Sequence, residues 1–429
     1  FAMSNLSRRS FFQGAALAAS ATRVMGANDR LRIGIVGIGG RGSAHISLWS
    51  KAQGSAVTGL CDVNQAARER GQAQLKQEGG GPAKEFRDMR DMFASNDIDA
   101  AAITTPNHWH SLATIWACKE GKDVYCEKPA CHNPYEGWKL VDVVRQTNRI
   151  VQIGSQSRSE PHRIRLMEML RGGVIGKVYM AKGLCFKRRK SINRTPVEPV
   201  PPGIDWDMFL GPAPMRPFTQ NRYKYNWHWF WDTGNGDIGN QGVHEMDLGR
   251  WGLGDVGMPK SVVSTGGKYL YDDDQETPNT QFATFDYGGM ELQFEVRGLL
   301  TGPEAGLPAA AGNVVGVIVF GADGWSWSER SGAQVYKGES HEKIHELKSE
   351  GNSTILHMEN FLAACRSRNY QELRADVQVG VISANLCHLA NISYRVGRKL
   401  TLDDRGMSIV NDWEANKLMT RDYREPYVV

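Results

Sequence analysis

At 429 residues the chain exceeds what one hydrophobic core accommodates, and 41% hydrophobic with 23% charged residues is the make-up of a two-domain globular protein. The net charge of +4, with no basic run longer than Lys187-Arg-Arg-Lys190, excludes the concentrated basic face of a nucleic-acid binder. The seven cysteines are scattered without a C-x-x-C pair, which excludes a disulfide framework and a dedicated zinc site, so no metal is expected.

Met3 reads as the native start behind a two-residue remnant. Ser7-Arg-Arg-Ser-Phe-Phe-Gln13 and the small apolar run Gly14-Ala-Ala-Leu-Ala-Ala-Ser20 have the form of a twin-arginine export signal. The run is too short to span a bilayer. Residues 1–29 are therefore expected to direct folded export to the periplasm without membrane insertion, or to form an ordered arm. Such export carries a chemical consequence. No NAD pool exists outside the cytoplasm, so any dinucleotide would have to be held tightly and recycled internally.

Leu31-Arg-Ile-Gly-Ile-Val-Gly-Ile-Gly-Gly-Arg-Gly42 predicts a buried strand running into a helix through G-x-G-x-x-G. Gly37 permits the tight turn, Gly39 admits a pyrophosphate to the backbone, and Gly42 lets helix and strand pack closely. Ile38, Gly40 and Arg41 complete the loop, and the helix N-terminus offers amides to phosphate. The next strand, Ala56-Val-Thr-Gly-Leu-Cys61, ends at Asp62, placed to accept ribose hydroxyls and to favour NAD over NADP. A strand at Ile98–Thr104 ends in Thr105-Pro106-Asn107, with His110 opening the following helix. Another at Val124–Cys126 ends in Glu127-Lys128-Pro129, and Ile150–Gly154 closes the series before Gln156. Strands alternating with helices predict a parallel sheet whose strand-end loops share one ligand crevice. The NAD-binding domain is expected over residues 30–155.

Beyond it, a helix at His162–Arg171, a strand at Val178–Phe186 and further strands near Ser261–Thr265, Thr280–Tyr287, Met290–Val296, Val314–Phe320 and Trp325–Ser328 predict an α+β domain over 156–400. Ala375–Val396 reads as a long helix returning to the first domain, and residues 401–429 as a tail packing on the body. The expected fold is α/β, an N-terminal Rossmann doubly wound parallel sheet plus a C-terminal domain with a large, mostly antiparallel open sheet. The run Lys187–Lys190 reads as a solvated loop, with substrate steering as the lesser alternative.

Together, the strand-borne glycine motif, Thr105-Pro106-Asn107 with His110, and Glu127-Lys128-Pro129 resemble the Gfo/Idh/MocA family of glucose-fructose oxidoreductase and inositol dehydrogenase. Gly234-Asn-Gly-Asp-Ile-Gly-Asn-Gln-Gly-Val-His244-Glu-Met-Asp247 resembles that family's glycine-rich segment ending in G-x-H-x-x-D. The resemblance implies that Lys128 and His244 serve the hydroxyl being oxidised, that Pro129 follows a cis bond, and that the protein is a homodimer or homotetramer. It also places Arg158, Arg163 and Asp247 by the cleft. The acidic residue usual four positions before the histidine is here Asn240, which can orient a hydroxyl but not accept its proton. Asp237 and Glu245 are the nearby carboxylates.

Six of the nine residues Tyr223-Lys-Tyr-Asn-Trp-His-Trp-Phe-Trp231 are aromatic. Aromatic faces stack on sugar rings, so Tyr225, Trp227, His228 and Trp231 are expected to contact a carbohydrate or glycoside. The sequence predicts an NAD-dependent oxidoreductase acting on a sugar or glycoside hydroxyl with retained cofactor. One alternative is a glycoside hydrolase working by transient oxidation, elimination, hydration and re-reduction. A non-catalytic NAD-retaining sugar-binding protein is disfavoured by the joint presence of Lys128 and His244.

Overall fold

The computed structural model describes residues 30–301 and 313–429, so the export reading of residues 1–29 lies outside the described residues. Six parallel strands, β1 (Leu31–Val36), β2 (Ser55–Cys61), β3 (Lys84–Phe86), β4 (Ala100–Ile103), β5 (Asp123–Cys126) and β6 (Val151–Ile153), lie in the order 3-2-1-4-5-6. This is the doubly wound order, whose crevice opens between β1 and β4 where the winding reverses. Burial explains the sequence pattern. Ala100-Ala-Ala-Ile103 and Asp123-Val-Tyr-Cys126 are buried throughout because helices cover both faces of the sheet.

The second sheet runs from β7 (Val178–Phe186) through β8 (Ser261–Gly267), β9 (Thr280–Asp286), β10 (Glu291–Arg297), β11 (Val314–Gly321), β12 (Gly324–Ser328), β13 (Gly332–Lys337), β14 (Glu342–Lys348) and β15 (Leu400–Thr401). Its spatial order is 14-13-12-11-7-10-9-8-15, and only β7 and β10 pair in parallel. The even burial alternation of β10, Glu291-Leu-Gln-Phe-Glu-Val-Arg297, puts Leu292, Phe294 and Val296 under the helix Gly242–Gly252. The opposite face is more open.

The boundary expected at residue 155 is crossed by later helices. Met358, Phe361 and Leu362 of the helix Ser353–Ser367 join Ile33, Ile35, Trp49 and Tyr125 in one core of the first domain. The helix Val377–Val396 gives Val377, Val381 and Ala384 to the other Rossmann core and Leu386, Leu389 and Ile392 to the core of the second domain. It is the bolt between the two. Within residues 401–429, Tyr427 is buried beside Trp109 and Arg421 pairs with Glu136. All seven cysteines are buried and unpaired. Among the described residues no helix is long and apolar enough to cross a membrane, and no His/Cys/Asp/Glu group could hold a metal.

Candidate active site

The glycine loop shows why each glycine is there. Gly37 sits at φ +87°, where a side chain is strained, and its carbonyl accepts from Thr104 Oγ1 at 2.5 Å. A Cβ on Gly42 would lie 1.8 Å from the Gly37 carbonyl oxygen, so the helix Gly40–Lys51 approaches β1 only because that Cβ is missing. A Cβ on Gly39 or Gly40 would meet nothing within 4 Å. The loop therefore keeps open space over its middle, above a helix N-terminus, as a pyrophosphate cradle requires. Gly42→Ala is expected to cost about 1–3 kcal/mol by overpacking and to lower dinucleotide affinity. Urea unfolding and an NADH fluorescence titration check this, and wild-type affinity in the variant would contradict it.

Asp62, just past the end of β2, is half-buried on the same cavity, and its carboxylate accepts from Ile38 N at 2.5 Å and Asn64 N at 2.8 Å. Burial pushes its pKa up and the two amides oppose that. It ties the glycine loop to β2 while presenting oxygen lone pairs to the cavity. The segment around residues 203–223 docks here. Gln65 N donates to Gly203 O at 2.9 Å, Asp205 N to Val63 O at 3.0 Å, and Asn64 Nδ2 to Tyr223 Oη at 2.9 Å. The second domain thus reaches across the nucleotide rim of the first.

Glu127 is a buried hub at the end of β5. Its Oε1 accepts from Arg41 Nε at 2.8 Å and Gln156 Nε2 at 3.0 Å, and lies 2.9 Å from His45 Nε2. Burial raises its pKa, but the facing Arg41 and His45 hold it well below the ordinary carboxylate range. Arg41 therefore clamps the glycine loop to the catalytic strand end. The Lys128-Pro129 bond is cis, as the resemblance implies. His110 is seated under this turn, its Nδ1 2.6 Å from Pro129 O and its Nε2 2.8 Å from Thr105 O. Lys128 Nζ crosses to the second domain and donates to the Asn240 backbone carbonyl at 2.6 Å. Burial lowers its pKa from the usual lysine value, while Glu127 opposes this.

From the second domain, His244 faces the same cavity with its pKa lowered by burial and by Lys128 to about 3, so its imidazole is neutral. Asn240 Nδ2 donates to Tyr225 Oη at 3.0 Å, so its side chain serves the aromatic wall and its carbonyl serves Lys128. Asp237 is not free to replace an acid at position 240. It is buried and gripped by Arg189, Nε to Oδ2 at 2.9 Å and Nη2 to Oδ1 at 2.6 Å. The basic run is accordingly solvated only in part, with Arg188 and Lys190 exposed. Arg189 locks Asp237, and Lys187 lines the cavity with Nζ donating to Gln241 Oε1 at 3.2 Å. Glu245, beside His244, is a buried carboxyl whose pKa is pushed by desolvation up to about 8.

These groups line one cavity of about 1080 Å³, above the usual range for a single small-molecule ligand. It reaches Gly37, Ile38, Gly39, Gly40, Arg41, Asp62, Thr105, Pro106, Asn107, His110, Glu127, Lys128 and Gln156, and on the other wall Arg163, Tyr225, Trp227, His228, Asn240 and His244. Those expectations converge. His228 stacks on Trp227 with ring centroids 3.6 Å apart, giving a flat aromatic patch. Three expectations do not converge. Trp231 turns away to lie under Arg395. Arg158 and Asp247 form a buried ion pair at 2.8 Å, extended by Asp255 and Ser383, and lie outside the cavity lining. They hold elements together. Arg189, Lys187 and Asn64 were missed as site residues, since their roles depend on partners far along the chain.

The comparisons with known proteins agree with this architecture. Residues 31–155 match the oxidoreductase family with an NAD-binding Rossmann fold, and residues 169–272 and 329–429 match its C-terminal α/β domain. A glycosyl hydrolase family 109 protein of Saccharopolyspora erythraea is 32% identical over 162 residues, 37% of this chain and 35% of that protein. The chain thus matches only about a third of the length of such relatives. The WlbA dehydrogenase of Bordetella pertussis, solved with NADH and UDP-GlcNAcA, superposes with a TM-score of 0.64 at 20% identity, covering 87% of this chain and 99% of that one. The aldose-aldose oxidoreductase of Caulobacter crescentus, solved with glycerol, does so with a TM-score of 0.66 at 15% identity, covering 87% and 100%. At such identities the structures speak for the fold alone. Both halves of the chain match, and it belongs to the Gfo/Idh/MocA family of NAD-binding oxidoreductases.

Proposed function

We propose that the protein oxidises a ring hydroxyl of a sugar or glycoside with an NAD that it retains and whose redox state is restored within each cycle. The observation that carries this reading is the single cavity that joins the glycine cradle and Asp62 to Lys128, His244 and the Trp227–His228 patch. When bound, NAD supplies the hydride acceptor and, later, the donor. The open space over Gly39 and Gly40 and the Asp62 carboxylate are the parts of this chain that fit it.

The protein's own groups handle the proton. Lys128, with its pKa lowered, is the stronger base of the facing pair, because an imidazole titrating at about 3 takes up little charge near neutrality. His244 holds the substrate oxygen by a neutral hydrogen bond. Retention of the cofactor is supported by the docking of residues 203–223 on the loop after β2, which overlies the nucleotide rim. The same reading takes residues 1–29 as an export signal and the protein as a periplasmic homo-oligomer.

A second reading, a redox-neutral glycosidase, is favoured by one feature. Position 240 carries no acid, Asp237 is locked by Arg189, and the carboxyl of the cavity wall that neighbours His244 is Glu245. A panel of 4-nitrophenyl glycosides, incubated without added NAD, separates the readings. Nitrophenol release is the outcome expected of the glycosidase. Stoichiometric reduction of bound cofactor by free sugars without aglycone release is that of a plain oxidoreductase. A protein that binds no NAD would overturn both.

A further inference from the structure

Glu245 is 4% exposed and lies in the cavity wall with Lys128, Arg163 and His244. Its Oε1 accepts from Gln241 Nε2 at 3.2 Å, whereas its buried Oε2 has no hydrogen-bond partner among the described residues. Buried polar atoms without a partner are rare and call for an explanation. The backbone dictates the position. Gly183 of β7 has no Cβ, and one placed there would sit 3.2 Å from Glu245 Cβ, so the helix Gly242–Gly252 rides close on the strand.

The charged groups around Glu245 are all engaged elsewhere. Arg163 Nε is 2.9 Å from Glu160 Oε2, Asp237 is paired with Arg189, and Lys128 is turned to the Asn240 carbonyl. Lys187 reaches it only through Gln241. No cation is bonded to the carboxyl, and Arg163 opposes protonation only through space, so the carboxyl keeps a proton. A pKa of about 8 agrees with this, desolvation being the main cause.

We propose that Glu245 is the catalytic acid that protonates the departing aglycone oxygen of a glycoside, an assignment that rests on the glycosidase reading. Oxidation at C3 of the ring makes the C2 hydrogen acidic and leaves the C1 oxygen β to the carbonyl. The C2 proton passes to the Lys128 amine, once the hydroxyl proton that it first took has left to solvent, and the C2–H electron pair forms the C1–C2 double bond. The C1–O bond breaks with its pair on the aglycone oxygen, which takes the Glu245 proton and leaves as an alcohol. Water then adds to C1 and gives its proton to Glu245, C2 recovers its proton, and reduction of the ketone completes hydrolysis.

The test uses paired 4-nitrophenyl and methyl glycosides of glucose, galactose, N-acetylglucosamine and N-acetylgalactosamine, in both anomers, with the full-length holoenzyme. Nitrophenolate leaves without protonation and methoxide does not. In Glu245→Gln the ratio of kcat/KM for the nitrophenyl over the methyl glycoside is expected to rise at least a hundredfold, and Glu245→Asp to restore most of it. An infrared band of a protonated carboxyl, present at pH 7 in the wild type and lost in Glu245→Gln, is the readout independent of turnover and of the aspartate variant's folding. An unchanged ratio, or no such band, overturns the role of Glu245 while nitrophenol release by the wild type leaves the glycosidase reading intact. A wild type that cleaves neither glycoside overturns that reading and this assignment with it.

Discussion

Lys128→Met is expected to lower kcat by about a hundredfold to ten-thousandfold, the range that a positioned acid–base group contributes. Three observations set that expectation. The lysine stands at the end of β5, where loops of a doubly wound sheet meet their ligand. Its ammonium is aimed across the cleft by the Asn240 carbonyl at 2.6 Å, and burial lowers its pKa, which makes the free amine accessible. No other base takes over, because His244 is held neutral at about 3 and Glu127 is consumed by Arg41 and His45. Since the amine is the active form, the wild-type rate rises with pH through an ascending limb below the usual lysine value of 10.5, and that limb vanishes in the variant. Initial rates of nitrophenol release and of sugar-dependent cofactor reduction check both points. An NADH titration separates lost chemistry from lost fold. Activity within tenfold of wild type would remove Lys128 from the mechanism.

The nucleotide half of this protein was legible because its signals are local. A glycine spacing, four short apolar runs and the Pro-containing strand ends each occupy a few consecutive residues, and the topology then gathers strand ends on one side. The second half is less so. β14, Glu342-Lys-Ile-His-Glu-Leu-Lys348, is an edge strand carrying charges on most positions, which protects an edge and erases the alternation by which strands are read. Arg158 and Asp247 carry the same letters whether they meet a substrate or each other, and only the 89-residue separation closed by folding decides it. Lys187–Lys190 is the same case in reverse, a charge run whose Arg189 finds Asp237 48 residues away. The helix Ser353–Ser367 shows an apolar face without saying that its partner is the first sheet and not the second. Glu245 was visible as a carboxylate near His244. Its neutrality was not, since that depends on every neighbouring cation being engaged elsewhere.

Stability is expected to collapse on mild acidification, well before carboxylates titrate. Nine of the eleven histidines have lowered pKa values, with burial the leading cause in each. His108, His228 and His244 fall to about 3, and His162, His357 and His388 to about 4. These side chains are neutral in the folded protein down to those values, while the unfolded chain protonates them at about 6.5. The unfolded state therefore binds more protons below pH 6.5. The stabilisation is complete above that pH and is lost as pH falls toward 3–4. Each such histidine withdraws up to about 1.4 kcal/mol per pH unit, near 2 kcal/mol at pH 5 before solvent screening of those facing the cavity. Six together rival a whole folding free energy of about 5–15 kcal/mol. Glu245 works in the opposite sense, since a carboxyl raised from 4.5 to about 8 stabilises at lower pH and loses that as pH rises through 8. A few such carboxyls do not offset nine histidines. Urea unfolding between pH 8 and pH 5 is expected to show ΔG falling steeply below pH 6.5. His388→Gln, which keeps a donor for the Cys131 carbonyl that His388 Nε2 meets at 3.0 Å, should flatten that slope by about one proton. A stability that stays level from pH 7 to pH 5 would show that these histidines are already charged in the folded protein.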